Sequence, residues 1–147
     1  MKPQSYLPTG LPIPVPDADG LTAPFWEGLR EEKLKVQKCG ACRSWIWGPE
    51  WICHRCHSFD VQWVDVTASG RIYSWERVWQ PSSQTMQPAV PYLVVLVELD
   101  CGDNLRLVGN LLGPTDQDVQ IGMKVKGVFE HHNASEPPFS LLQWEKA

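Results

Sequence analysis

Three things are missing from this chain of 147 residues: an apolar run of membrane-spanning length, a surplus of basic charge, and the short motifs of common catalytic sites. Its longest wholly apolar stretch, Leu93-Val94-Val95-Leu96-Val97, is far shorter than the ~20 residues a spanning helix needs. A soluble protein is expected. The opening Met1-Lys2-Pro3-Gln4-Ser5 runs into prolines and not into an apolar segment with a cleavage site, so the cytoplasm is the expected location. Thirteen Lys and Arg stand against seventeen Asp and Glu, a net −4. From Val61 onward six basic residues face ten acidic ones, where a nucleic-acid groove would need the opposite balance. There is no G-x-S-x-G elbow, phosphate loop, G-x-G-x-x-G turn or H-E-x-x-H helix.

What is present is a chain with 43% hydrophobic and 20% charged residues, enough to bury one core. The first twenty residues hold five prolines and read as an extended arm. Thr22 can cap a helix over about 23–34 that tolerates Pro24 in its first turn and puts Phe25, Trp26 and Leu29 on one side. Val36 to Phe59 shows almost no helical or strand period. Beyond it, strands are expected at Val61–Val66, Arg71–Trp79, Tyr92–Leu99, Leu105–Leu112, Lys124–His131 and Phe139–Trp144. Five or six short strands make a small barrel of the OB type. The link Gly113–Val119 reads as a turn with room for one helical turn, where such barrels usually carry a helix.

The strongest signal is Cys39-Gly40-Ala41-Cys42 and, ten residues on, Cys53-His54-Arg55-Cys56. Two residues between cysteines let both sulfurs face one tetrahedral ion, and two such clips close a four-thiolate site. A closed site cannot activate water, so its metal serves structure. Zinc is the first reading and iron the second, since spacing does not separate them; disulfides or a redox pair are the lesser reading in a chain expected in the cytosol. His54 and His57 are read as solvent-facing, and Cys101 as a bystander without a base. Glu130, His131 and His132 are read as barrel-rim surface, because adjacent strand residues point to opposite faces.

Eight tryptophans are heavy use. Trp45, Trp47 and Trp51 inside the metal loop are expected to pack the ribbon, while Trp75 and Trp79 share strand parity with Tyr73. Aromatics on one barrel face can stack on bases, which makes single-stranded nucleic acid the alternative partner; the charge balance opposes it. The strand Tyr92–Leu99 is apolar on both faces, so one face needs cover from the ribbon, the helix or another protein. Phe25, Trp26, Leu29, Tyr92 and Val95 are the candidate partner contacts. Three segments follow: arm and helix 1–36, zinc ribbon 37–60, barrel 61–147.

Several stretches together resemble one family: Thr22-Ala23-Pro24-Phe25-Trp26, the two cysteine clips, Ser69-Gly70-Arg71-Ile72-Tyr73-Ser74-Trp75, Pro91-Tyr92, Val97-Glu98-Leu99-Asp100, and Ile121-Gly122-Met123-Lys124-Val125. The chain resembles the domain-of-unknown-function thirty-five family, in which a rubredoxin-like zinc ribbon precedes an OB-fold. The resemblance covers nearly the whole chain. It implies a mainly β protein with a five-stranded barrel, and zinc on Cys39, Cys42, Cys53 and Cys56. It also implies a non-catalytic subunit of a thiolase-superfamily enzyme acting on acyl-CoA, of the steroid side-chain aldolase or acyltransferase kind, with the nucleophile on the partner. His54 stands where the family often has proline.

Overall fold

The computed structural model describes residues 10–11, 13–102 and 104–147. Pro3, Pro8 and Pro12 of the arm, and Asp103 of the expected turn after Leu99, lie outside the described residues. Asp19 prepares the first helix: its carboxylate accepts from the amides of Leu21 (3.0 Å) and Thr22 (2.8 Å) and from the Thr22 hydroxyl (2.8 Å). The Thr22 side chain is thereby engaged and makes no cap bond, contrary to the sequence expectation.

Helix α1 runs Ala23–Arg30, one turn shorter than expected. Glu32 takes a left-handed φ of 58°, and the Lys33 amide reaches back to the Gly28 carbonyl (2.8 Å) while that of Glu32 reaches Leu29 (3.2 Å). This is a Schellman stop with glutamate where glycine is usual, so no residue type announced it. Phe25 and Leu29 are buried and Trp26 half-buried, as amphipathic spacing requires.

The next surprise lies in the supposedly irregular segment. Leu34–Cys39 forms β1, Trp45–Ile46 forms β2, and Val61–Val66 forms β3; the sheet order is β2-β1-β3, antiparallel. Val61–Val66 was expected as a barrel strand, but it pairs along its full length with β1 and closes the ribbon instead. Hydropathy hid β1 because Gln37 is buried in it. Its amide satisfies the backbone of Glu50 twice, donating to the carbonyl (3.1 Å) and accepting from the N–H (2.8 Å).

The barrel strands are β4 (Ser69–Val78), β5 (Tyr92–Leu99), β6 (Arg106–Asn110), β7 (Lys124–His132) and β8 (Phe139–Lys146). Their order is β6-β5-β4-β7-β8, and the ends meet at a parallel bridge between Leu111 and Trp144. This is the five-stranded, partly open OB arrangement. A 3-10 turn, Gln84–Ala89, bridges β4 to β5. Between β6 and β7 the chain has turns and no helix, so the expected helical turn there is absent; α1 packs on β8 and β1 instead. No helix among the described residues is long and apolar enough to cross a membrane.

One core joins the parts. Leu34 and Val36 of the ribbon sheet, Leu29 of α1, and Ile72, Val95, Val97, Leu107, Val125 and Trp144 of the barrel belong to one buried cluster. Trp45 and Trp47 pack onto it from the ribbon, and Trp47 meets Phe25 edge-on at 5.0 Å. The ribbon's own buried cluster is only Cys39, Ile46 and Cys53.

Candidate metal centre and the surfaces around it

The two cysteine clips are built alike. In each, the first cysteine's N–H donates to a serine carbonyl (Cys39 to Ser44, Cys53 to Ser58, both 2.9 Å), and its carbonyl accepts from the residue after the second cysteine. Those residues, Arg43 and His57, take left-handed φ values of 65° and 60°. Amides of Cys42 and Arg55 point at the sulfurs of Cys39 and Cys53, each at 3.4 Å. The repeated pattern C-x-x-C-(R/H)-S carries this geometry; the serines are site residues that the sequence reading passed over.

The sulfurs converge. Cys39 Sγ lies 3.6 Å from Cys56 Sγ and Cys42 Sγ 3.7 Å from Cys53 Sγ, and all four lie within 4.8 Å of one another. An ion with ~2.3 Å bonds to four tetrahedral sulfurs sets them about 3.8 Å apart. The donor set fits such an ion. Hydrogen bonds from the Ser44 side chain and backbone hold the Cys42 thiol down at about 6. The Cys56 thiol, despite a hydrogen bond from the Ser58 backbone, is pushed up to about 12 by desolvation and by its sulfur neighbours. Four sulfurs this close do not all ionise unless a cation sits among them. With four thiolates the coordination shell is full, so the chemistry available is structural.

His54 and His57 are exposed; His54 Nδ1 lies 3.3 Å from Glu50, pointing away from a ligand role. Cys101 is half-buried in the β5–β6 turn, and burial pushes its thiol up, which suits an inert bystander. Above the clips, a polar cleft of about 840 Å³ separates ribbon from barrel, with Arg43, His54 and Arg55 on one wall and Asp100 on the other.

The aromatic platform does not form. A β-bulge between Ile72 and Ser74 breaks the parity that joined Tyr73 to Trp75. Tyr73 turns outward under the Arg106 guanidinium at 3.7 Å, Trp75 packs inward on the core, and Trp79 lies past the strand end. Trp51, expected to pack the ribbon, is 66% exposed.

Glu130 and His132 are not rim surface. They sit two apart on β7, share a face, and are 5% and 9% exposed in their side chains, with His132 Nε2 at 2.9 Å from Glu130. The other Glu130 oxygen accepts from Gln143 Nε2 (2.9 Å), and Gln143 Oε1 accepts from the Asn110 amide (2.8 Å). His131, on the opposite face, contacts Ser140 (2.7 Å) and Glu32 (3.2 Å). Strand parity at i and i+2 was the available signal for the dyad.

Of the candidate partner contacts, Leu29 and Val95 are fully buried within the chain's own core and Phe25 nearly so. Trp26 and Tyr92 keep accessible surface. β5 alternates strictly: Leu93, Val95, Val97 and Leu99 face the core, whereas Tyr92, Val94 and Leu96 are half-covered. Phe25, Trp26 and Leu29 also line a groove of about 540 Å³ whose other walls are β6 and β8.

The architecture matches known proteins in order. Residues 26–62 match the family profile of the ChsH2 rubredoxin-like zinc ribbon domain, and residues 63–130 that of the ChsH2 C-terminal OB-fold domain. A solved structure described as Ltp2-ChsH2(DUF35) aldolase superimposes with a TM-score of 0.73 at 30% identity, over 91% of this chain and 98% of that one. The chain belongs to the ChsH2 branch of the DUF35 family. Among curated relatives, a probable enoyl-CoA hydratase alpha subunit of Thermomonospora curvata is 36% identical over 102 residues, 69% of this chain. The 3-oxo-4,17-pregnadiene-20-carboxyl-CoA hydratase alpha subunit of Mycobacterium tuberculosis is 28% identical over 95% of the chain. The chain spans 31% and 46% of the length of these two relatives. In these two relatives the matched region is therefore less than half of the protein.

Proposed function

We propose that this chain is a non-catalytic subunit that docks on and stabilises a thiolase-superfamily enzyme acting on acyl-CoA thioesters. The observation that carries the reading is the likeness, at 30% identity over almost the whole chain, to the DUF35 part of an aldolase complex. A full tetrathiolate shell with no open position agrees with it, because the chain's one metal-binding cluster among the described residues cannot host turnover. Zinc is the proposed ion, since a structural site of four cysteines in a ribbon of this family suits a redox-silent metal. The aldolase type is favoured over acyl transfer by the same relative, and a steroid side-chain thioester by the pregnadiene-carboxyl-CoA relative. The cytoplasm is the proposed location.

The test is co-expression with a thiolase-superfamily subunit from the same genome. A complex that co-purifies and cleaves or transfers an acyl-CoA, while this chain alone does not, is the expected result. Turnover of a thioester by the isolated chain, or no complex, overturns the reading. Single-stranded nucleic acid is disfavoured on two grounds, the acidic barrel and the bulge that scatters Tyr73, Trp75 and Trp79; tight, salt-sensitive oligonucleotide binding would reverse that ranking.

A further inference from the structure

The barrel wall is incomplete at one place. The Leu99 amide donates to Leu105 (2.9 Å) and that of Leu111 to Leu93 (3.1 Å), which fixes the alternation in β6. Leu105, Leu107, Gly109 and Leu111 turn their peptide groups to β5, so those of Arg106, Val108 and Asn110 point away from it. Past the far end of β6 the Leu112 amide meets the Trp144 carbonyl (2.7 Å), and the Asn110 amide is met by the Gln143 side chain (2.8 Å) in place of a strand. Then the seam opens. No strand among the described residues pairs with the outer edge of β6 at Val108, and Val108 is 68% exposed.

The opening is the groove of about 540 Å³ roofed by Phe25, Trp26 and Leu29 and floored by Leu141 and Leu142. Its lining carries one charge, Arg106, and that guanidinium is already held by Glu98 at 2.8 Å. In a chain where a fifth of the residues are charged, this is a neutral slot. Three requirements on an occupant follow. It must offer backbone N–H and C=O groups to Val108, which a strand has free and a helix does not. It must be apolar on the side that enters the groove. It must be uncharged there, because an unpaired charge in such a lining loses solvation without recovering it.

We propose that an extended, uncharged segment of the partner enzyme adds to the β6 edge at Val108 and lays its apolar side chains between α1, β6 and β8. This inference rests on the docking role proposed above. Between Arg106 and the Asn110 amide that Gln143 already holds, β6 offers about 10 Å of free edge at ~3.4 Å per residue, room for roughly three residues of an added strand. The Glu130–Gln143 pair fixes where the slot ends, since Gln143 occupies the position next along the seam.

The experiment uses the chain alone and its complex with a thiolase-superfamily subunit from the same genome. Backbone hydrogen exchange at Val108 is expected to be near the solvent rate in the free chain and to slow on the order of 100-fold in the complex. Val108→Pro removes the outward N–H and no bond to β5; it is expected to weaken association about tenfold or more, with metal content and far-ultraviolet circular dichroism retained. Val108→Lys, which keeps the N–H but carries a charge into the slot, is expected to weaken it as well, and Val108→Thr to bind as the parent does. A complex that forms while Val108 still exchanges freely overturns this inference and leaves the docking role standing, as does tight binding by both Val108→Pro and Val108→Lys. Protection that appears in the isolated chain and grows with its concentration overturns it in favour of a second copy at the same edge. Absence of any complex overturns the docking role and this inference together.

Discussion

At Cys42 and Cys56 single atoms stand in for a core. The ribbon's own buried cluster comprises two ligand cysteines and Ile46, so little apolar burial remains once the metal is lost. Replacing either cysteine with serine is expected to release one metal per chain and unfold the ribbon, checked by metal analysis and by the fluorescence of Trp45 and Trp47. A protein that keeps its metal after the change would refute the ligand assignment. A colourless preparation with zinc by elemental analysis is expected, and a red one would mean iron. At the end of α1, Glu32 occupies a left-handed position that glycine adopts without strain. Glu32→Gly is expected to stabilise the chain by up to ~1 kcal/mol in urea unfolding, less whatever the exposed contact with His131 contributes.

Among the elements, the seam between β6 and β8 depends on side chains more than on ladder bonds. Gln143 spans it by accepting from Asn110 and donating to buried Glu130. Gln143→Ala leaves the Asn110 amide and one carboxylate oxygen without those partners, an expected cost of ~1–3 kcal/mol in chemical unfolding. Exchange at Asn110 is expected to rise more than exchange at β4 or β5; equal change everywhere would show that the pair does not govern the seam. Sequence pattern placed the barrel strands within a few residues because alternation and turn residues agree there. Three of its misses have identifiable reasons. Gln37 disguised β1 by being buried and polar, the bulge after Ile72 reset strand parity, and Glu32 stopped a helix without glycine or proline. The cysteine clips were readable because ligand spacing is fixed by the ion, not by packing elsewhere; their serine partners lay in the same repeat, unread.

Across the whole molecule, ribbon, helix and barrel draw on a common core, yet the ribbon alone depends on the ion. Removing the metal with a strong chelator is therefore expected to abolish the ribbon's signals while the barrel strands persist, seen as retained β circular dichroism with altered tryptophan emission. Loss of both together, at one chelator concentration, would mean that ribbon and barrel unfold as one unit. Trp47 joins the ribbon to α1 through Phe25. Trp47→Ala is expected to cost about 2–3 kcal/mol, below the ~3–5 typical of a fully buried tryptophan, because this one is half-covered. Two candidate contacts are buried in the chain's own core: Leu29 by the apolar face of α1, and Val95 because a strand apolar on both faces still chooses one for the core. No alternation pattern states which.

Only Thr67 and Ala68 separate β3 from β4, and both are tied: the Ser69 amide returns to the Thr67 carbonyl (2.9 Å) and the Gly127 amide to that of Ala68 (2.7 Å). The junction has no slack. A clamp whose two jaws are welded at a fixed angle surrenders little orientational freedom when it closes on something, so a modest contact area can hold firmly. Lengthening that junction with a few glycines would turn the clamp into a hinge, and faster release from the complex is the behaviour such a loosened tool would display.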